Sequence, residues 1–334
     1  MGRDTPAVRA INEVLVRCTP TVSTHHTAAD RMRSRKSLGL DGVDPGQVID
    51  GTAASLTCGI LLFDHMLSNM SNSGIMILDK KTIVVTGVGD GLGRECAASA
   101  LEHGARVVLA ARSEDKLELI ASELDSDGRR VAVVPTDITD PRSCEELAAA
   151  AASRFGEVHG LVQVAAFEYA FGGLHEMNPD DWRKAHDTNV LGTYNVVRAL
   201  HRGLKEAGGG SVVLIGSQSM FKPSLPQAGY AASKGALLTA TYYLADELGI
   251  DNIRVNMVVP SWMWGPPVEM YVDIKAQEAG VSREEVLEGI VGQFPLRRMA
   301  EDGEVADTVV FFLSDLAKAV TGQHLQVNAG ELSR

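Results

Sequence analysis

The spacing of hydrophobic positions divides this chain into two regions. From Lys80 onward, short runs rich in β-branched residues are separated by Ala- and Leu-rich stretches with helical spacing. The runs predict seven strands: Thr82–Thr86, Arg106–Ala110, Arg130–Pro135, Gly160–Ala165, Ser211–Ile215, Ile253–Val259 and Leu325–Val327. The stretches between them predict helices: Gly91–His103, Glu114–Leu124, Pro141–Phe155, Trp182–Leu204, Ala228–Leu248 and Glu301–Leu313. Apolar strands that alternate with helices predict one α/β domain, a Rossmann-type, doubly wound, seven-stranded parallel sheet covered on both faces.

Residues 1–75 show no sustained helical or alternating pattern. They contain a basic cluster, Arg31–Lys36, and an apolar island, Leu61–Met66. We interpret them as an irregular N-terminal extension, poorly ordered or docked, ahead of one domain over residues 76–334. An alternative is that translation begins at Met70 or Met76, which mass spectrometry of the native N-terminus would decide.

Composition narrows the classes of function. The 334 residues carry a formal net charge of −12, which disfavours a surface that neutralises nucleic-acid phosphates. The cysteines lie far apart, without Cys-x-x-Cys or zinc-ligand spacing, which predicts reduced thiols in a cytoplasmic protein and no metal site. The sequence has neither an apolar run of about 18 residues nor a signal-peptide pattern, so we expect no membrane span and no secretion.

A glycine-rich segment joins the first predicted strand to the first predicted helix and reads Thr86-Gly87-Val88-Gly89-Asp90-Gly91-Leu92-Gly93-Arg94. Glycine lets the backbone turn tightly and approach a pyrophosphate, and the helix N-terminus supplies free N–H donors. A glycine run by itself requires only a turn. Its place between the strand and helix of an alternating unit favours a dinucleotide-binding site.

Tyr230 and Lys234 lie four residues apart in a predicted helix, so both side chains lie on one face. A free tyrosine has a pKa of about 10, and a neighbouring ammonium is expected to lower it towards working pH. The phenol can then act in general acid–base catalysis. A surface pair is the alternative interpretation, but Ser217 at the end of the preceding strand favours the catalytic one.

These motifs together resemble the short-chain dehydrogenase/reductase family over Lys80 to about Gly330. The glycine segment is similar to the family's Thr-Gly-x-x-x-Gly-x-Gly motif, and the serine, tyrosine and lysine have its catalytic spacing. The resemblance implies an NAD(P)-dependent oxidoreductase that acts on CH–OH donors. It places cofactor contacts at Gly87, Asp90, Gly91, Leu92, Gly93, Arg112, Asp137, Ile138, Ala165, Tyr230, Lys234, Pro260 and Met263.

The same resemblance implies four catalytic roles. Tyr230 exchanges a proton with the alcohol or carbonyl oxygen, and Ser217 hydrogen-bonds that oxygen. Lys234 binds the nicotinamide ribose and lowers the tyrosine pKa. Asn189 holds a water that links the lysine to solvent.

Two residues bear on the choice between NADP and NAD. An acidic residue at the end of the second strand would hold a free ribose 2′-hydroxyl, but Arg112 stands there and suits a 2′-phosphate. Asp90 argues the other way, because NADP-preferring relatives often have a basic residue at its place. We expect NADP rather than NAD; the alternative role of Arg112 is a solvated loop charge.

The chain departs from the family in two places. Gln163-Val164-Ala165-Ala166 replaces Asn-Asn-Ala-Gly after the fourth strand, which removes asparagines that brace the sheet and adds a methyl group at Ala166. Pro260-Ser261 replaces Pro-Gly after the sixth strand, and Gly265 replaces an expected threonine. The contact to the nicotinamide carboxamide must then come from elsewhere, such as backbone groups of Trp262 or Met263.

Aromatic residues follow the fourth and sixth strands, at Phe167, Tyr169 and Phe171 and at Trp262 and Trp264. By family analogy they border the substrate cleft, and we expect a bulky apolar secondary alcohol or ketone of steroid, terpenoid or lipid type. Packing or subunit contact is their alternative role. Alternative functions are a 3-oxoacyl-thioester reductase and a cofactor-binding regulatory protein with weak catalysis. Family resemblance implies a homotetramer or homodimer.

Overall fold

The structure is a computed structural model that describes residues 76–333. The predicted extension, with its basic cluster and apolar island, lies outside the described residues. Its role and its boundary with the following domain therefore stay predictions.

Seven strands form one parallel sheet in the order β3-β2-β1-β4-β5-β6-β7. Their bounds are β1 Thr82–Thr86, β2 Arg106–Ala111, β3 Val131–Pro135, β4 Gly160–Gln163, β5 Gly210–Ile215, β6 Ile253–Pro260 and β7 His324–Val327. Strand β1 pairs with β2 on one side and β4 on the other, so the winding reverses at β1. Ligands of such sheets bind at the carboxyl ends of the strands beside this reversal. The predicted fold class is confirmed.

Nine helices connect the strands within the described range. Their bounds are α1 Leu92–Glu102, α2 Glu114–Leu124, α3 Pro141–Phe155, α4 Pro179–His186, α5 Thr193–Glu206, α6 Ala228–Gly249, α7 Pro266–Ala279, α8 Arg283–Val291 and α9 Asp302–Leu313. Helix α3 shows why these bounds follow from the sequence. The Asp140 side chain accepts a 2.9 Å hydrogen bond from the Arg142 amide, and Pro141 occupies the first helical position.

Two apolar cores lie on the two faces of the sheet. One joins the sheet to α1, α2 and α9 through residues such as Cys96, Leu117 and Val309. The other joins it to α3, α5 and α6 through residues such as Leu147, Leu200 and Leu244. Strand β1 contributes to both, which explains why all five of its residues are buried.

The structure differs from the sequence prediction most clearly between residues 178 and 206. The single predicted helix is two helices, α4 and α5, joined by a π-helical turn at Asp187–Gly192. It begins earlier than predicted because Asn178 caps α4 by accepting a 3.0 Å bond from the Asp180 amide. Turns of π type are often found at functional sites, and this one contains Asn189.

Strand β4 also ends two residues earlier than predicted, at Gln163. Gln163, the last residue of β4, pairs with Thr86, the last residue of β1. The chain that leaves β1 turns away from the sheet at the next residue, Gly87, which has φ of 69°. Ala165 and Ala166 therefore lie in the loop beyond the sheet edge. Among residues 76–333, no helix combines the length and apolar character that a bilayer crossing requires.

Candidate active site

The carboxyl ends of β1, β4, β5 and β6 bring the predicted site residues to one edge of the sheet. Ser217 follows β5 and caps a short 3₁₀ turn at Gln218–Met220. Its hydroxyl accepts a 2.9 Å hydrogen bond from the Ser219 hydroxyl and also hydrogen-bonds the Tyr230 side chain. The structure therefore brings together Ser217 and Tyr230, two of the predicted site residues.

Tyr230 and Lys234 lie one turn apart on α6, as their spacing predicted. The Lys234 ammonium is 5.7 Å from the centroid of the Tyr230 ring and donates a 2.7 Å hydrogen bond to the carbonyl oxygen of Ile215, the last residue of β5. Lys234 is 2% exposed. Helix α6 approaches α4 closely at Gly229, where a Cβ atom would lie 2.7 Å from the Trp182 ring. These contacts fix the helix, and with it the two side chains, against the sheet edge.

The electrostatics of this pair differ from the sequence expectation. Burial raises the pKa of Tyr230 above its ordinary value, the charge of Glu168 raises it further, and the hydrogen bond from Ser217 opposes both. Burial lowers the pKa of Lys234 to about 8, with Glu168 opposing. Loss of solvation disfavours the charged form of each group. The lowering of the tyrosine pKa by lysine, which the sequence led us to expect, is therefore not among the causes that act on Tyr230 in this structure.

Glu168 is a residue that the sequence interpretation missed. It is exposed, lies five residues beyond the end of β4, and is close enough for its charge to raise the pKa of both Tyr230 and Lys234. A carboxylate that follows a central strand at the sheet edge could have been noticed from the sequence.

Asn189 fastens the loop after β4 to the π-helical turn and to α6. Its side chain donates to the Phe167 carbonyl oxygen at 3.0 Å and to the Ser233 hydroxyl at 2.8 Å, and it accepts from the Phe167 amide at 2.7 Å. The residue is 1% exposed. Its side-chain groups are thus engaged by protein, while its role in holding a water stays a prediction.

The glycine segment forms a cradle whose shape tolerates no side chain at two points. A Cβ atom on Gly87 would lie 2.3 Å from the Ala165 nitrogen, and one on Gly93 would lie 2.5 Å from the Gly87 oxygen. The cradle therefore brings backbone, not side chains, to the N-terminus of α1. This geometry fits the pyrophosphate of a dinucleotide, which the backbone of Gly91, Leu92 and Gly93 would hold.

The asparagine brace expected from the family is replaced, not lost. The Gln163 side chain accepts a 2.5 Å hydrogen bond from the Thr86 hydroxyl and donates a 3.2 Å bond to the Ala165 carbonyl oxygen. Gln163 is 2% exposed. It joins the ends of β1 and β4 beside the cradle, so the amide function is retained on a longer side chain. Ala166 is exposed at the same edge.

Charged side chains surround the end of β2, where the sequence predicts the adenosine ribose. Asp90 lies 2.6 Å from the Lys116 ammonium of α2. Arg112 is exposed at the end of β2, near enough to Asp137 to lower its pKa, although the hydrogen bonds from Thr139 are the larger cause. Sequence interpretation missed Lys116. A lysine in the first turn of the helix after β2 is the signal that could have found it.

The remaining predicted cofactor residues lie along the same edge. Pro260 is buried at the end of β6, and the backbone of Met263 forms an isolated parallel β-bridge with Ala300. Ile138 is 5% exposed, its side chain packs against Gly192, and its carbonyl oxygen accepts a 3.1 Å hydrogen bond from the Asn195 side chain. Ala165 lies under Gly87 in the cradle.

The aromatic groups lie beside this edge. The rings of Phe167 and Tyr169 are 5.8 Å apart and meet edge to face, and those of Trp262 and Tyr271 are 5.2 Å apart. Tyr169 and Phe171 are exposed, as is Leu174 further along the same loop. The structure thus leaves apolar side chains open to a ligand or to another protein surface.

Comparison with known proteins adds to this geometry. A family model described as enoyl-(acyl carrier protein) reductase matches residues 87–331. L-rhamnose 1-dehydrogenase (NAD(P)(+)) of Azotobacter vinelandii is 33% identical over 260 residues, which cover 76% of this chain and 98% of that protein. Dehydrogenase/reductase SDR family member 4 of Oryctolagus cuniculus is 31% identical over 268 residues, which cover 79% of this chain and 100% of that protein.

A solved structure gives the same result at the level of the fold. L-sorbose reductase from Gluconobacter frateurii, complexed with NADPH and L-sorbose, superposes with a TM-score of 0.73 at 27% identity. The match covers 78% of this chain and 100% of that one.

Proposed function

The chain belongs to the short-chain dehydrogenase/reductase family, and on that premise we propose that Asn189, Ser217, Tyr230 and Lys234 are the catalytic residues of its NAD(P)-dependent alcohol–ketone chemistry. Family membership makes the chain an oxidoreductase that acts on CH–OH donors. The observation that carries the assignment of residues is the contact of the Tyr230 phenol with the Ser217 hydroxyl, one helical turn from Lys234.

The roles follow from the chemistry of these groups. Ser217 hydrogen-bonds the substrate oxygen, and Tyr230 gives that oxygen a proton in reduction or removes one in oxidation. Lys234 stabilises the phenolate that proton donation leaves behind. A bound nicotinamide supplies or accepts the hydride at the substrate carbon. Asn189 keeps the loop after β4 in place beside the reacting groups.

For the cofactor we propose a preference for NADP over NAD. Arg112 is exposed at the end of β2, where a 2′-phosphate would lie. Asp90, which argued against NADP, is paired with Lys116, so its charge is largely compensated and a second cation stands nearby. The ratio of catalytic efficiencies with NADPH and NADH tests this, and a clearly higher value for NADH would reject it.

For the substrate we propose a bulky apolar secondary alcohol or ketone. The exposed apolar side chains of Tyr169, Phe171 and Leu174 support this class, since they lie on the loop that pairs at Gly172 with Gln227, just before the helix of Tyr230. L-rhamnose 1-dehydrogenase and L-sorbose reductase are named for sugars. In a substrate screen, turnover of a polyol would therefore be the result that argues against an apolar substrate.

The deciding experiment measures oxidation of NADPH by a panel of steroid, terpenoid, sugar and 3-oxoacyl-thioester ketones. The parent protein is compared with Tyr230→Phe and with Tyr243→Phe, a matched tyrosine exposed on the same helix. We expect Tyr230→Phe to lose about 100-fold or more in turnover, and Tyr243→Phe to keep it. Equal activity of parent and Tyr230→Phe would reject the assignment, and turnover of sugars alone would reject the apolar substrate.

Two further functions have separate outcomes in the same panel. A further relative, 3-oxoacyl-[acyl-carrier-protein] reductase of Salmonella typhimurium, is 30% identical over 255 residues, which favours 3-oxoacyl thioesters as the second candidate. Turnover of those thioesters above all other ketones would establish it. Tight binding of NADPH with no turnover of any ketone would instead indicate a regulatory cofactor-binding protein.

We also propose a homotetramer or homodimer in the cytoplasm. Exposed Leu191, Tyr194 and Tyr242 on the π-helical turn, α5 and α6 support subunit contacts. The free thiols Cys96 and Cys144 are compatible with a reducing compartment. Light scattering after gel filtration measures the first proposal, and a monomer at micromolar concentration would contradict it. Fractionation of native cells with detection of the chain measures the second.

A further inference from the structure

The carboxylate of Glu331 is buried between two chain segments that border the site. Its side chain is 4% exposed, and one oxygen lies 2.9 Å from the Lys222 ammonium. The Ser261 hydroxyl donates a hydrogen bond to the other oxygen. Lys222 lies five residues after Ser217, and Ser261 lies directly after Pro260. One side chain near the C-terminus thus links the serine segment to the segment that follows β6.

The turn that carries Glu331 is itself fixed to the serine segment. The Asn328 side chain donates a 2.6 Å hydrogen bond to the Gln218 side chain, next to Ser217, and a 3.0 Å bond to the Leu332 carbonyl oxygen. Asn328 is 7% exposed and Gln218 is 4% exposed. The Glu331 amide donates to the Asn328 carbonyl oxygen at 2.9 Å, so the carboxylate starts from a rigid backbone.

We propose that Glu331 is a positioning residue that holds the segment of Ser217 and the segment of Pro260 and Met263 in one fixed relative position. The inference rests on the proposed function for the role of Ser217, and on the cofactor contacts predicted at Pro260 and Met263. A buried carboxylate is costly unless its charge and hydrogen bonds are satisfied, and an apolar contact would stabilise the fold as well. An ion pair together with a directed hydrogen bond fixes the relative position of the groups that it joins, which an apolar contact does not. Misplacement of a reacting group by about 1 Å can cost up to about 100-fold in rate.

Each link can be cut separately. Lys222→Met removes the link to the serine segment, and we expect kcat to fall about tenfold while the Kd for NADPH stays within about twofold. Ser261→Ala removes the link to the other segment, and we expect the Kd for NADPH to rise about fivefold. Glu331→Ala should show both effects. Glu331→Gln keeps an oxygen for Ser261 but loses the ion pair, so it should behave like Lys222→Met.

The matched control is Lys81→Met. Lys81 pairs with Asp315 at 2.6 Å, but it precedes β1 at the opposite, amino-terminal edge of the sheet. Its loss should leave kcat, KM and the Kd for NADPH within about twofold. If the role of Glu331 is purely structural, the variants of Lys222, Ser261 and Glu331 should all have a lower unfolding temperature. In that case kcat and the Kd for NADPH should not change separately from one another.

Two outcomes decide the proposal. If Lys222→Met and Ser261→Ala both keep kcat, KM and Kd within about twofold of the parent, Glu331 does not position the site. These two variants decide even if Glu331→Ala fails to fold. A parent protein without turnover contradicts the proposed function instead, and the Kd of Ser261→Ala then still tests the link: a rise supports it and an unchanged value overturns it.

Discussion

The Lys234 ammonium lies 5.7 Å from the centre of the Tyr230 ring, yet its hydrogen bond goes to the carbonyl oxygen of Ile215, 2.7 Å away. The lysine is therefore held by β5, the strand that also leads to Ser217. The tyrosine is held by the helix. Proton transfer depends on the junction of these two elements, and four predictions follow from the charges and contacts around it.

Lys234 should make stability depend on pH in alkaline solution. Its pKa is lowered from 10.5 to about 8 in the folded protein, so between these values the unfolded chain binds a proton that the folded chain has lost. Stability conferred by this group must then rise with pH across that window. Urea unfolding of the cofactor-free protein should show this rise for the parent relative to Lys234→Met. An equal pH slope for both proteins would contradict the buried, depressed lysine.

Removal of the Glu168 charge should shift the pH profile of alcohol oxidation. That charge raises the pKa of Tyr230, so Glu168→Gln should lower it and make the phenolate available at lower pH. The apparent pKa of kcat/KM for oxidation is expected to move towards acid. Glu176→Gln, a carboxylate change in the same loop, is the control and should leave the profile in place. A profile of Glu168→Gln that coincides with the parent would be the contrary result.

The choice of cofactor should depend on Arg112 and Lys116. Arg112→Ala removes a charge-assisted contact to a 2′-phosphate, so catalytic efficiency with NADPH should fall about tenfold or more while that with NADH changes little. Lys116→Met leaves Asp90 unpaired, so binding of both cofactors should weaken, NADPH more strongly. Arg129→Ala, in a pair with Asp127 beside the start of β3, is the control. An unchanged ratio of the two efficiencies in Arg112→Ala would remove its assigned role.

Alanine substitutions at Gly87 and Gly89 should have different effects on stability, although both residues lie in the cradle. Gly87 has φ of 69°, and a Cβ there would meet the Ala165 nitrogen at 2.3 Å, whereas a Cβ on Gly89 would meet no atom within 4 Å. Gly87→Ala should therefore destabilise the protein by about 1–3 kcal/mol and weaken cofactor binding. Gly89→Ala should leave stability nearly unchanged. Thermal unfolding with and without NADPH measures both, and equal behaviour of the two variants would show that the cradle can relax.

Much of the fold and the core of the site could be predicted from local sequence. β1, α2 and α3 have the predicted bounds because their apolar spacing lies within each segment, and α3 also has its cap, Asp140, directly before it. The π-helical turn could not be predicted in this way. The helical pattern of residues 182–204 is continuous and gives no sign of a π-helical turn. That turn accompanies the packing of Gly192 on Ile138, which lies more than fifty residues away in sequence.

The sequence by itself determined which groups can move a proton: the spacing of Tyr230 and Lys234 is local, and a helix puts both on one face whatever surrounds it. It also determined the glycine cradle, since strand, turn and helix are consecutive. Only the tertiary structure decided that burial raises the tyrosine pKa, that Glu168 adds to that effect, and that Glu331 reaches Lys222 across 109 positions of sequence. Desolvation and charge act through space, so they depend on which distant segments the fold brings to the same edge of the sheet.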